Sequence, residues 1–132
     1  MKRYPVSGGT EDTCQKTKYY YDVNPYDGSF SLNGWGRMVV SEYSICSPAG
    51  LRTVREMYSY TTPGLVGKKR FRVDKLKEDS PGQGTAGSAQ LDTAWTYDNE
   101  GKTVTTTYPS QAGLFTGSTF TYGSTRWGVR RG

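Results

Sequence analysis

WTYDNEGKTV, residues 95–104, is the stretch of sequence that decides the fold. Its two aromatic residues are two positions apart, so they lie on one face of an extended strand. Asp98 caps the following turn through its side chain, and Gly101 permits the positive φ that such a turn requires. The stretch therefore predicts a β-hairpin corner.

The same sequence motif, which we call the phrase, recurs along the chain. One copy is YSYTTPGLV, residues 58–66, and a longer one runs from YYYD, 19–22, through an inserted turn to GRM, 36–38. A last copy, FTYG at 120–123, has its glycine too early and breaks off. The residues that carry the phrase are Tyr21, Asp22, Gly36, Arg37, Tyr58, Tyr60, Gly64, Tyr97, Asp98 and Gly101. Because a single hairpin cannot bury its face, the copies must stack side by side into a sheet.

The remaining sequence favours the same architecture, since no segment of helical length has a 3.6-residue period. Strands are expected at 16–22, 38–43, 51–61, 65–76, 89–98, 102–108 and 118–122, joined by hairpin turns. The fold class is therefore all-β, an antiparallel meander of Tyr-rich hairpins. We expect a flexible segment at 1–15, one β domain at 16–124 and a basic tail at 125–132.

Composition excludes several kinds of chemistry. The 132 residues include 11 tyrosines and no histidine, which removes Ser-His-Asp and Cys-His nucleophile systems and most zinc sites. GQGTAG, residues 82–87, matches a dinucleotide-binding pattern, but no strand precedes it and no helix follows. Residues 22–28 resemble a calcium loop out of register. No cofactor and no metal are expected.

The net charge of +5 allows two interpretations. Basic residues concentrate at 68–77 and at Arg126, Arg130 and Arg131. They fit either an acidic-ligand patch or a solvated strand face with a basic tail. We prefer the second, because no nucleic-acid-binding motif accompanies them, and expect no nucleic acid partner.

The two cysteines, Cys14 and Cys46, either close one disulfide or remain unrelated thiols, and sequence spacing leaves both readings open. No apolar run approaches the length of a membrane span, and residues 1–10 lack the apolar region of a signal peptide. We therefore expect no membrane span and no signal peptide within this chain.

The phrase resembles the YD repeats of the bacterial RHS family, whose common form is Y-x-Y-D-x-x-G-R-L. Three copies, at 19–40, 58–66 and 95–104, carry the resemblance, which covers most of the chain from about residue 18. It implies a long β-sheet strip that spirals into a shell around a toxin or serves as a cell-surface scaffold. The parent protein is then secreted or at the cell surface. This chain has too few copies to close a shell and lacks the family's closing motif, so oligomerisation is expected to complete its sheet.

The tail differs from the family pattern. Where the family continues with D-S-M-G-R-P-S-G, this chain has TRWGVRRG at 125–132. One nucleotide string encodes both when it is read in frames one base apart. The hypothesis is that the tail is a frame-shifted remnant.

Two functions follow from these patterns. The first is a structural or interaction β module that forms homo-oligomers through open sheet edges, with no catalytic residues assigned. The alternative is a metal-independent hydrolase, a glycosidase with a carboxylate pair, or a carbohydrate-binding module. The candidate carboxylates are Asp22, Glu42, Glu56 and Asp98, and the candidate sugar-stacking rings are Trp35, Trp95, Tyr19 and Tyr21. Those rings equally fit the core of the sheet, which is our preferred interpretation because large rings are its main apolar material.

Overall fold

The structure is a computed structural model that describes residues 14, 16–47, 50–74, 88–110 and 116–123. The predicted N-terminal segment, apart from Cys14, lies outside these residues. The predicted basic tail and the glycine-rich stretch at 82–87 do so as well.

Seven antiparallel strands form one sheet in the described part of the chain, and their spatial order follows the sequence from β1 to β7. The strands are β1 Thr17–Tyr21, β2 Met38–Ser47, β3 Gly50–Tyr60, β4 Val66–Asp74, β5 Ser88–Tyr97, β6 Thr103–Thr107 and β7 Thr119–Thr121. The prediction of an all-β antiparallel meander is confirmed. The sheet is open, because β1 pairs only with β2 and β7 only with β6 among these strands.

Each of the three phrase copies forms a hairpin corner after a register shift at the end of its first strand. The glycine has a positive φ in all three, 70° at Gly36, 97° at Gly64 and 80° at Gly101. The residue after the tyrosine donates its backbone N–H across each corner. These bonds are Asp22 to Arg37 O at 3.1 Å, Thr61 to Leu65 O at 2.7 Å, and Asp98 to Lys102 O at 2.9 Å.

The strand register separates two faces of the sheet. Val40 lies opposite Met57 and Glu42 opposite Arg55, and we call their side the loop face. On the other side, the far face, Val54 and Glu56 lie next to Val73 and Phe71 of β4.

Residues 22–37, the inserted turn of the first copy, pack over the loop face. Phe30 joins Val39, Val40 and Met57 in the buried core, and Tyr20, Tyr26 and Tyr60 pack against them. The buried Asn24 organises this segment, since its Oδ1 accepts the backbone N–H groups of Tyr26 and Asp27 at 2.9 and 3.1 Å. A Leu32 N–H to Ser59 Oγ bond of 3.1 Å fixes it to β3. The segment thus supplies a second layer over part of a single sheet.

Candidate functional site

A carboxylate network occupies the loop face next to the core, and Glu42 is its centre. Only 10% of the Glu42 side chain is exposed. Its Oε2 accepts hydrogen bonds from the Tyr26 hydroxyl at 2.6 Å and from Arg55 Nε at 2.7 Å. Its Oε1 lies 3.2 Å from Lys18 Nζ. The network therefore joins β1, β2, β3 and the inserted segment.

Arg55 carries the network to the next strand. Its guanidinium lies 4.0 Å from the centre of the Tyr26 ring and donates to Asp74 Oδ2 through the other side of its fork. Arg72 Nε donates to Asp74 Oδ1 at 2.8 Å. Because Arg55 offers its donors in a fixed plane, it positions two carboxylates on opposite sides of itself.

A second ion cluster lies farther along the loop face. Arg70 donates to both carboxylate oxygens of Asp92, at 2.7 and 2.8 Å, and to Asp27 Oδ2 at 2.8 Å. Its guanidinium lies 4.3 Å from the centre of the Phe30 ring. These bonds fasten the inserted segment to β4 and β5. The arginines of the predicted basic run are thus paired with carboxylates, whereas Lys68 is exposed.

The charges hold Glu42 in its ionised form. Burial by itself would raise the pKa of Glu42, but hydrogen bonds from Tyr26, Arg55 and Lys18 outweigh it, and the pKa lies below its ordinary value. Burial, together with the hydrogen bond to Glu42, raises the pKa of the Tyr26 hydroxyl. A glycosidase acid needs a carboxyl whose pKa is raised. Glu42 is shifted in the opposite direction, so this network is suited to holding structure and not to donating a proton.

The four candidate carboxylates lie in separate environments. Asp22 accepts the Gly36 N–H at 2.6 Å in the first corner, and Asp98 accepts the Glu100 and Lys102 N–H groups at 2.9 Å in the third. Glu42 lies on the loop face. Glu56 lies on the far face, where it accepts the Tyr58 hydroxyl at 2.9 Å and pairs with Lys69 at 3.3 Å. The structure brings no two of these four carboxylates together.

The four candidate rings do not share a platform either. Trp35 is 82% exposed in the turn before β2, while Tyr19 and Tyr21 are exposed on β1. Trp95 is half-buried on β5. Tyr19 and Trp95 share the far face, but their strands are four spacings apart, about 19 Å. The interpretation of these rings as core is wrong for Trp35, Tyr19 and Tyr21, because the inserted segment provides Phe30 and Tyr26 to cover the core instead.

The phrase tyrosines make a contact that sequence reasoning missed. The Tyr60 hydroxyl donates to Met38 O at 2.6 Å, and the Tyr97 hydroxyl donates to Val66 O at 2.7 Å. Met38 and Val66 are the first residues of the preceding even-numbered strands. Each tyrosine thus ties its corner to the corner before it.

The glycine of each phrase completes this tie. A Cβ at Gly64 would lie 2.5 Å from a guanidinium nitrogen of Arg37, and one at Gly101 would lie 3.6 Å from Leu65 Cδ1. Arg37 and Leu65 hold equivalent places in successive corners. The residue after one glycine therefore packs against the next glycine. The signal in the sequence was the recurring tyrosine and glycine, which are four positions apart in the second and third copies. Only the strand register reveals what they contact in the preceding corner.

The two ends of the sheet interrupt this pattern. Tyr21 is 59% exposed, and its hydroxyl makes no hydrogen bond within the described part of the chain. At the other end, Thr105 of β6 pairs with Thr121 of β7. This pair is equivalent to the pair of Lys68 on β4 and Ala94 on β5. Tyr97 lies three residues beyond Ala94, and the equivalent position in the last copy is 124, a serine outside the described residues. Tyr122 is therefore two positions too early to make the tie.

Comparisons with protein-family models, with curated proteins and with solved structures found no match to this chain. The resemblance to YD repeats therefore rests on the residues of the phrase alone. The described residues contain no group of acidic or cysteine side chains that could hold a metal ion. They also contain no helix long and apolar enough to cross a membrane.

Proposed function

We propose that this chain is a structural and interaction β module of the YD-repeat kind, which self-associates through the open edges of its sheet. The observation that carries the proposal is the unclosed meander, in which β1 and β7 each have a partner strand on one side only among the described strands. An edge strand presents unpaired N–H and C=O groups, which form a template for another strand.

The usual protection of such edges is weak here. Proteins commonly place charged side chains on exposed edge strands to prevent pairing. Residues 116–123, which include β7, contain no charged side chain. The single charge of β1, on Lys18, is paired with Glu42 on the neighbouring strand. With respect to the strands that the structure describes, both edges are thus available to a partner strand.

The parent of this module is proposed to be a secreted or cell-surface protein. The support is the phrase itself, three copies of which form the same corner and two of which make the same tyrosine tie. The structure also contains a Cys14–Cys46 disulfide, the alternative that sequence spacing left open. Stable disulfides are typical of oxidising compartments.

Light scattering during size-exclusion chromatography tests the self-association. We expect a dimer or larger oligomer that dissociates on dilution. Tyr19→Lys places a charge on the β1 edge and Phe120→Lys places one on the β7 edge, and the substitution on the associating edge should weaken the oligomer. Leu32→Lys is the matched control, because Leu32 is exposed to a similar degree but lies in the inserted segment. A monomer over the whole range up to about 100 μM, where even micromolar affinities saturate, contradicts the proposal.

Carbohydrate binding is the second candidate, and the exposure of Trp35 favours it over hydrolysis. A flat ring that is 82% exposed can stack on a sugar face, whereas the four candidate carboxylates are apart. Titration of soluble glycans with tryptophan fluorescence as the readout tests this function, with Trp35→Ala as the variant. Unchanged fluorescence across a glycan panel removes it. Hydrolysis of chromogenic glycosides tests the hydrolase, with Glu42→Gln and Glu56→Gln as the variants. Absence of hydrolysis by the wild type across the substrates removes it.

A further inference from the structure

We propose that β1 is the associating edge and that its partner is the β1 strand of a second copy, paired antiparallel about a two-fold axis, with Tyr21 reaching across to the partner's main chain. This inference rests on the proposed self-association and deepens it by naming the edge, the symmetry and the contact.

The direction of the tyrosine ties points to this edge. The Tyr60 hydroxyl reaches from β3 to β2, and the Tyr97 hydroxyl reaches from β5 to β4. Both therefore cross toward the lower-numbered neighbour, which runs antiparallel. Tyr21 ends β1 at the same place in its phrase, and the same reach carries its hydroxyl across the free edge of β1.

Within the described part of the chain, the Tyr21 hydroxyl lacks the bond that Tyr60 and Tyr97 make to a main-chain carbonyl of an antiparallel strand. Even-numbered strands supply that carbonyl inside the sheet, but each of them already has a neighbour on both sides. The β1 strand of a second copy, related by a two-fold axis, runs antiparallel to β1 and so has the direction of an even-numbered strand. A two-fold axis gives each copy's Tyr21 the same carbonyl partner, so one residue contributes two hydrogen bonds to the dimer.

The β1 edge is also held in place before any partner arrives. Cys14 and Cys46 are bonded, with Cα atoms 5.4 Å apart, and each lies three residues from the Thr17–Tyr43 pair. At its other end the Asp22 side chain accepts the Gly36 N–H at 2.6 Å. An edge fixed at both ends loses little conformational entropy on binding. The β7 edge, in contrast, has three paired residues, all of them exposed.

The side chains of β1 suit a copy of the same strand. Tyr19 is the middle residue of β1, so an axis at Tyr19 places the two Tyr19 rings against each other on the far face, where aromatic pairs are favourable. The same register places Lys18 beside the partner's Tyr20 and not beside its Lys18. Since Lys18 pairs with Glu42, neither copy brings an uncompensated charge to the edge.

The test compares two tyrosines at opposite edges. Tyr21→Phe removes two hydrogen bonds from the dimer, so we expect its dissociation constant to rise about tenfold or more in analytical ultracentrifugation. Tyr122→Phe is the matched control, because Tyr122 is 52% exposed at the β7 end, and it should leave the constant unchanged.

A second measurement locates the axis without relying on affinity. Tyr19→Cys should be joined into a covalent dimer by a short bifunctional thiol reagent, since opposed Cβ atoms are about 4.5–5.5 Å apart. The Phe120→Cys variant, treated with the same reagent, should run as a monomer on the denaturing gel. This inference is overturned if only the β7 variants weaken the wild-type dimer, or if the wild type forms open-ended oligomers. In both cases the proposed self-association still stands. A monomeric wild type overturns both.

Discussion

The Tyr97 hydroxyl donates a hydrogen bond of 2.7 Å to the carbonyl oxygen of Val66, and so joins the end of β5 to the start of β4. Tyr60 makes the equivalent bond to Met38 O at 2.6 Å. Successive corners of the sheet are therefore tied by a side chain as well as by the strand ladder.

Removal of one of these hydroxyls should lower stability. Tyr60→Phe and Tyr97→Phe should each reduce the free energy of unfolding by about 1 kcal/mol, because a part-buried carbonyl loses its donor. Urea denaturation followed by tryptophan fluorescence measures the change. Tyr122→Phe is the control and should have little effect, since the Tyr122 hydroxyl makes no hydrogen bond among the described residues. Equal effects of all three substitutions would remove the special role of the tie.

The network around Glu42 predicts a larger loss. Glu42→Gln should lower the free energy of unfolding by about 2–4 kcal/mol, because it removes a nearly buried charge, which leaves Lys18 without its carboxylate and Arg55 with Asp74 alone. Glu100→Gln is the matched control. Its partner Lys102 and Glu100 itself are 63% and 72% exposed, and exposed pairs contribute about 0–1 kcal/mol. Similar losses in both variants would contradict the network's role.

Acid should weaken the fold through the same carboxylate. The pKa of Glu42 is lower in the folded than in the unfolded chain, so its ionised form stabilises the fold above its unfolded pKa of about 4.3. That stabilisation is lost as the pH falls through the folded pKa. The free energy of unfolding should therefore decrease below about pH 4.3. Glu42→Gln should flatten this dependence in part, because Asp27, whose pKa is also lowered through hydrogen bonds from Ser29 and Phe30, remains. An unchanged slope in the variant would show that Glu42 does not contribute.

Substitutions at two glycines distinguish the cost of an unfavourable backbone conformation from the cost of lost packing. Gly36 has a φ of 70°, and an added Cβ would have no atom within 4 Å apart from its two chain neighbours, so Gly36→Ala should cost only the backbone penalty of about 1–2 kcal/mol. Gly64 has a φ of 97°, and its Cβ would also meet the Arg37 guanidinium. Gly64→Ala should therefore be the more destabilising in thermal and urea unfolding. The reverse order would contradict the packing of Arg37 on the next corner.

The Cys14–Cys46 disulfide should stabilise the fold, because it lowers the conformational entropy of the unfolded chain. It joins cysteines 32 residues apart, and a loop of that size corresponds to about 3–4 kcal/mol in the chain-entropy estimate. Paired Cys14→Ser and Cys46→Ser substitutions should lower the midpoint of unfolding, and reduction of the wild type should reproduce the loss. The doubly substituted chain is the control for the reductant and should not respond to it.

The sequence by itself determined the strands and the corners. Alternation of side chains, turn chemistry and the spacing of tyrosine and glycine act within a few residues, so the bounds of most elements are within one or two residues of expectation. The corners at Gly36, Gly64 and Gly101 follow from the positive φ that their turns require.

Only the tertiary structure decided which side chains meet across strands. Glu42 is 13 residues from Arg55 and 16 from Tyr26, and nothing local distinguishes it from Glu56, which the register places on the opposite face. The pairing of β1 with β2 also places Cys14 near Cys46, and it leaves the Tyr21 hydroxyl without a carbonyl partner among the described residues. These pairings depend on strand register, which the whole sheet and its covering segment fix together, and no short stretch of sequence encodes it.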